Sequence, residues 1–238
     1  MKTITLIPLL AGSLLLTATA HAQATFSFGP RLGLNASTAH FTYIESSTHV
    51  GVEAGLTGNL QLGHFAVEPS LLFSQKGYHA HGGLVSFDYP VTYEEAVRLN
   101  YLTLPLNLAY TLGKAGQGLQ AFAGPYLGLL MGGNYQRQVY SAGGYLGGTA
   151  SETKYSGKVK AASVFADNDN RYSQRLDAGL QAGIGYCLKG WQVQAGYSLG
   201  LRNLAASYQG YNGTLYQEAA NYNRAFQLSL SYLAGFKG

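Results

Sequence analysis

The sequence predicts an all-β fold, an eight-stranded antiparallel up-and-down transmembrane β-barrel with short periplasmic turns and long extracellular loops. Three observations carry the prediction. Two adjacent stretches, 176–188 and 191–201, alternate apolar with polar or glycine residues and flip parity across Lys189-Gly190, as a two-residue hairpin turn requires. The same period of two recurs in six further stretches, joined alternately by short and long connections. Finally, charged residues make up only 11% of the 238 residues, against about 25% in soluble domains, too few to coat a water-exposed surface.

The first 22 residues read as a separate segment. Lys2 supplies a short positive start, 4–16 an apolar core, and Ala20-His21-Ala22 a small-x-small cleavage site. That is a secretory signal peptide, with cutting expected before Gln23. The run is interrupted by Pro8, Gly12 and Ser13 and is too short for a membrane anchor. The mature domain is then 23–238, a size that all-β barrels reach undivided.

The first strand is expected over 26–36, with Phe26, Phe28, Pro30, Leu32 and Leu34 on one side. The second covers 50–62 and the third 65–75, separated by Gly63-His64; the fourth covers 100–112 and the fifth 119–131. In the fifth, Phe122, Tyr126 and Leu130 depart from the pattern by sitting on the polar register. Strands six and seven are the hairpin at Lys189-Gly190, and the eighth runs over 225–236. The connections 63–64, 113–118 and 189–190 are short, whereas 37–49, 77–99, 132–174 and 205–224 are long. Short turns on one side, long loops on the other and an even strand count are the pattern of outer-membrane barrels. Such a sheet must close, because an open edge in lipid leaves amides unpaired.

The polar face holds Gln, Asn, Ser and Gly with few charges, so it reads as the lumen and the apolar face as the lipid contact. Phe26, Phe28, Phe65, Tyr110, Tyr186, Trp191, Tyr232 and Phe236 all fall on the apolar register near the short turns. They are expected to form a periplasmic aromatic girdle. The expected inward charges are Arg31, Glu53, Glu68, Lys76, Asp177 and Arg202, three of each sign. With Leu188 opposite Trp191, Asp177 is expected to face Arg202. With Gly63-His64 as a turn, Asn59 faces Glu68, and Glu53 lies diagonal to Lys76. Buried charges must pair, and an eight-stranded interior is just wide enough for side chains to fill. The lumen is therefore expected to be plugged; a narrow passive channel is the alternative.

The motifs resemble those of the PorT-like outer-membrane β-barrel family. The stretch 51–78 (GVEAGLTGNLQLGHFAVEPSLLFSQKGY) looks like its second and third strands, and 101–110 (YLTLPLNLAY) is similar to its fourth. The stretches 177–185, 197–203 and 223–236 follow the same pattern. The resemblance implies an eight-stranded barrel in the outer membrane of a Gram-negative cell, and no reaction.

Other chemistry is weakly supported by the sequence. The single Cys187 closes no intrachain disulfide and reads as a small filler on the polar register. No basic run suggests nucleic acid, and no phosphate-binding glycine loop is present. His40, His49, His79 and His81 lie in expected outer loops with Glu45, Ser46 and Ser47 nearby. A lipid-modifying enzyme built on them is the second alternative, supported only by their proximity in sequence, and a metal pair at His79 and His81 lacks a third ligand. No catalytic, cofactor or metal residue is expected. Tyr135, Tyr140, Tyr145, Tyr155 and Tyr172 punctuate one long loop, and Tyr208, Tyr211, Tyr216 and Tyr222 another. They suit either a surface ligand or strands continuing as a ribbon above the membrane. The expected partners are outer-membrane lipids, the barrel-insertion machinery during biogenesis, and a surface ligand of the Tyr-rich loops, for a monomer with a structural or surface-interaction role.

Overall fold

The computed structural model describes residues 24–41, 45–84, 90–113, 116–143, 149–167 and 169–236. The expected signal peptide at 1–22 lies outside the described residues. The chain forms β1 (Thr25–Phe41), β2 (Glu45–Leu62), β3 (Phe65–Leu84), β4 (Val91–Thr111), β5 (Gly118–Ser141), β6 (Ser151–Ala161), β7 (Arg171–Ser173), β8 (Leu176–Leu188), β9 (Trp191–Gly200), β10 (Ser207–Gln209), β11 (Leu215–Gln217), β12 (Asn221–Tyr232) and β13 (Ala234–Phe236). Eight of these close a ring in the order β1-β2-β3-β4-β5-β8-β9-β12, with β12 hydrogen-bonded back to β1 and every pairing antiparallel. Closure leaves the ring no free edge.

The hairpin at Lys189-Gly190 has the expected register: Leu188 pairs with Trp191, Gly183 with Gly196 and Gly179 with Gly200. Its two turn residues both have positive φ, 51° and 86°, the geometry whose twist matches the flanking strands. β12 breaks at Leu233, whose amide bonds the Gly190 carbonyl at 2.7 Å. The chain then resumes as β13 against the start of β1, with Phe26 opposite Phe236.

The expected long loops are largely strand. β3, β4 and β5 continue well past the expected limits, so that Leu84 pairs with Val91 and Val91 with Ser141. Where β8 leaves β5 at Leu129, β6 takes over along 133–141, and β7 adds to β6 in parallel. The expected pattern fails there because the alternation changes sides: Val97, Leu99, Tyr135 and Val159 pack inward as an apolar cluster while the outward positions are largely polar. A bulge at Met131-Gly132, where Asn100 faces Gly132 but Tyr101 faces Leu130, marks the change. Gly132 has φ of 141°. The bulge shifts parity, so Leu130 and Tyr135, five apart, both point inward and are buried.

Burial is inverted relative to a water-soluble protein. Leu32, Leu104, Leu108, Leu180, Ile184 and Leu228 are exposed on the outer wall, whereas Lys76, Glu68, Gln192 and Asp177 are sealed inside, Asp177 completely. Phe26, Phe28, Phe65, Tyr110, Tyr186, Trp191 and Tyr232 are all exposed on the outer wall beside the short turns. Neighbouring rings touch: Phe65 and Tyr110 at 5.0 Å, Trp191 and Tyr232 at 4.9 Å. The Phe236 side chain lies outside the described residues.

The three fifth-strand residues that broke the alternation are explained by their partners. Phe122, Tyr126 and Leu130 are buried in the lumen, and glycines opposite make room. A Cβ on Gly196 would come within 2.9 Å of Phe122 Cζ, and one on Gly179 within 2.7 Å of Tyr126 Cε1. Gly196 is thus the seat of the Phe122 ring, while at Gly179 the Leu199 carbonyl oxygen, nearer still to an added Cβ, closes the space together with the Tyr126 ring.

Candidate functional site

The lumen is filled by a polar network that every strand of the ring feeds. Toward the turn end it centres on Glu68 of β3. Its Oε1 accepts hydrogen bonds from Asn59 Nδ2 (3.0 Å), Gln120 Nε2 (2.8 Å) and Gln192 Nε2 (2.7 Å), and its Oε2 accepts one from Gln194 Nε2 (2.9 Å). The Gln120 carbonyl oxygen takes second hydrogen bonds from both Gln192 and Gln194 at 3.0 Å. Among the described residues Glu68 has no ion-pair partner; four amide donors take that place, which is how a buried carboxylate stays solvated without a cation.

One layer along, Arg31 Nε meets Glu53 Oε1 at 3.2 Å. Arg31 Nη1 donates to Gln194 Oε1 at 2.9 Å, tying this pair to the Glu68 cluster. Gln181 bridges to Asn107 at 2.8 Å. Nearer the loop end, Lys76 Nζ lies 3.3 Å from Asp177 Oδ2. Asp177 also accepts from Asn223 Nδ2 (2.9 Å) and Tyr126 OH (3.3 Å). The Lys76 ammonium stands 4.7 Å and 5.5 Å from the Tyr126 and Tyr101 ring centres, within cation–π range.

Five of the six expected inward charges, Arg31, Glu53, Glu68, Lys76 and Asp177, are buried here. Arg202 is not: it is exposed and does not face Asp177. β9 ends at Gly200, and the amides of both Leu201 and Arg202 donate to the Ala178 carbonyl, at 2.9 and 3.3 Å. The strand therefore stops before Arg202 can enter the lumen, and the long Lys76 side chain reaches Asp177 across the interior instead. Glu53 is opposite Ser74, so its diagonal relation to Lys76 exists in register, but its ion pair is with Arg31. Asn59 and Glu68 do meet. The amides Gln120, Gln192, Gln194 and Asn223 and the rings Tyr101 and Tyr126 were missed as individual site residues; inward parity combined with a side chain carrying a donor is the signal that points to them.

Above the plug lies a cavity of about 430 Å³ walled by Phe41, Val97, Leu99, Val159 and Leu204. A second ion cluster crosses it. Arg171 grips Glu95 through two bonds of 2.9 and 2.7 Å, Arg137 lies 3.9 Å from Glu95, and Glu218 3.6 Å from Arg171. Burial raises the Glu218 pKa above the usual carboxylate range against the opposing pull of Arg171. Asp167, held by Tyr172 OH and by Asn170, falls to about 2. Elsewhere on the ribbons, the His49 and His79 rings lie 5.5 Å apart, tilted by 49°, and Ser46 Oγ bonds Thr38 and the Ala39 carbonyl.

A closed eight-stranded ring, apolar outside and ionic within, is the organisation of a membrane barrel. The chain belongs to the outer membrane protein beta-barrel domain family, which matches residues 21–206. Among solved structures it is similar to Neisserial surface protein A (10% identity, 86% of this chain and 96% of that chain, TM-score 0.39). It is also similar to Ail, the attachment invasion locus protein of Yersinia pestis (7% identity, 89% and 99%, TM-score 0.36), and to the N-terminal β-barrel domain of Pseudomonas aeruginosa OprF (9% identity, 85% and 97%, TM-score 0.20). No curated protein matches the chain significantly.

Proposed function

We propose that this protein is a monomeric, non-conducting outer-membrane barrel whose lumen is a structural plug and whose raised ribbons work at the cell surface. The observation that carries the reading is the chain of contacts from Glu53 through Arg31 and Gln194 to Glu68, capped by Lys76 and Asp177. It crosses the interior in successive layers and holds each charge against a partner. In this reading 1–22 is a signal peptide removed before Gln23, the aromatic girdle and short turns face the periplasm, and the ribbons built from β3 to β6 face outward. The assignment to the PorT-like group within the family rests on 51–78 and 101–110. Planar-bilayer recording of the refolded protein tests the reading: no steady single-channel current is expected, and large steady currents would overturn it. Heat-modifiable migration of the protein from an outer-membrane fraction tests its location.

A further inference from the structure

The seven arginines of the chain divide into two sets. Arg31, Arg137 and Arg171 point into the barrel or its mouth, and each has a carboxylate partner, Glu53 for the first and Glu95 for the other two. Arg98, Arg175, Arg202 and Arg224 make no ion pair and no side-chain hydrogen bond among the described residues. An arginine left without a carboxylate in a chain this poor in charge calls for an external partner.

The four unpaired arginines share one place in the fold. Each stands one to four residues beyond an outward apolar residue, at the end opposite the aromatic girdle, Arg98 and Arg224 within strands and Arg175 and Arg202 just past strand ends. On β12, Arg224 is the next outward position after the exposed Phe226, and its cross-strand partner on β9 is Leu199. Arg202 directly follows the exposed Leu201, just past the end of β9 at Gly200. Arg175 immediately precedes Leu176, the first residue of β8. On β4, Arg98 lies two outward positions past Leu102. Since β4, β5, β8, β9 and β12 are consecutive in the ring, the four form an arc around about half the barrel. On the other half the positions facing them are Thr38, opposite Arg224, and Gly77, opposite Arg98, rather than Lys or Arg. Three of the four are exposed, and Arg224 is half-buried with its Nε lacking a hydrogen-bond partner among the described residues.

We infer that this arc binds the phosphate groups of an anionic glycolipid in the outer leaflet of the membrane. Guanidinium suits phosphate through paired, charge-assisted hydrogen bonds. Cations placed just beyond an apolar belt meet lipid headgroups at the depth where the phosphates lie. The arc thereby takes up an anionic partner that the described residues do not provide. The inference rests on the proposed orientation, with the ribbon end outward; protease accessibility of segment 149–167 on intact cells tests that orientation separately.

The binding test uses the full chain refolded in detergent micelles, with native mass spectrometry counting retained lipid. The probes are diphosphorylated lipid A and the same lipid stripped of phosphate. The wild type is expected to retain the phosphorylated probe at least tenfold better than the stripped one. The variant R98Q/R175Q/R202Q/R224Q is expected to lose that preference while keeping its heat-modifiable migration. A control, K154Q/K158Q/K160Q, removes three cations from β6 and is expected to keep it. If the fourfold variant fails to fold, R175Q/R202Q, which lies outside the strand ladder, is expected to lower retention at least threefold. Unchanged preference in the arginine variants, or its loss in the lysine variant, overturns the inference.

Discussion

Asp177 shows how a single side chain is fixed by what surrounds it. Its carboxylate is completely buried and is held by Lys76, Asn223 and Tyr126. Removing one member of such a pair strands the other charge, at a cost of about 3–5 kcal/mol, whereas replacing both by apolar groups of similar size is often near neutral. Asp177→Ala and Lys76→Met are each expected to destabilise the barrel by that order, and Lys76→Met/Asp177→Leu by clearly less than their sum. Guanidinium unfolding in lipid vesicles, run as a double-mutant cycle, measures this. The inward placement of Asp177 was legible from parity alone, because the greasy even positions of 176–188 force Asp177 to the other face. Its partner was not. Cross-strand register reaches only adjacent strands, while Lys76 arrives from β3, on the other side of the lumen, where the length and reach of the side chain decide the contact.

At the scale of elements, β5 and the hairpin β8-β9 are matched surfaces. The ring of Phe122 lies over Gly196, where an added Cβ would sit 2.9 Å from Phe122 Cζ. Gly196→Ala is expected to cost about 1–3 kcal/mol by overpacking. In a Phe122→Ala background, which itself opens a cavity, the Gly196 substitution is expected to cost clearly less, only the Ala182 carbonyl oxygen at 3.2 Å remaining close; additive effects in the same unfolding measurement would contradict the seating. This explains the glycine at 196, a residue visible in the sequence whose reason lay in an earlier strand, β5. The strand extensions were illegible for a different reason: beyond the membrane belt the apolar positions move to the inner face, where Val97, Leu99, Tyr135 and Val159 pack together, so the period read along the belt does not carry on, although the tyrosines suited a ribbon. A second element, the hairpin β10-β11, ends at Glu218, which reaches Arg171 at 3.6 Å among Glu95, Arg137 and Tyr78. Burial raises the Glu218 pKa when the hairpin is docked. The docked state therefore binds the proton better than the released one. Docking is then firmest below the ordinary glutamate pKa and weakens as pH rises through the raised value. Amide exchange in 207–217 is expected to be slower in mild acid than at neutral pH after correction for intrinsic rates. Glu218→Gln is expected to remove this pH dependence; a variant retaining it would show that another group controls docking.

For the molecule as a whole, the fold and the plug are two consequences of one constraint. A closed sheet in lipid turns its apolar residues outward, so the chain's scarce charges and its amides have nowhere to go but inside or to the rims. Inside, eight strands leave room for side chains and little else, and the polar set condenses into layers: Glu68 with its four amides, Arg31 with Glu53, and Lys76 with Asp177. The layers lie in series along the axis, so the resistance to ion flow is set by whichever remain intact. Opening one layer leaves two others closed. Glu68→Ala alone, Arg31→Ala/Glu53→Ala alone and Lys76→Ala/Asp177→Ala alone are therefore each expected to stay silent in planar bilayers, as the wild type does. Combining the three sets removes five ionic groups from successive heights and lets water run the length of the lumen, and steady current is expected to appear only then, if circular dichroism and heat-modifiable migration show the barrel still closed. Current from a single-layer variant would mean that this layer was the sole gate, and the interior would be a channel with one constriction rather than a packed core made of polar groups.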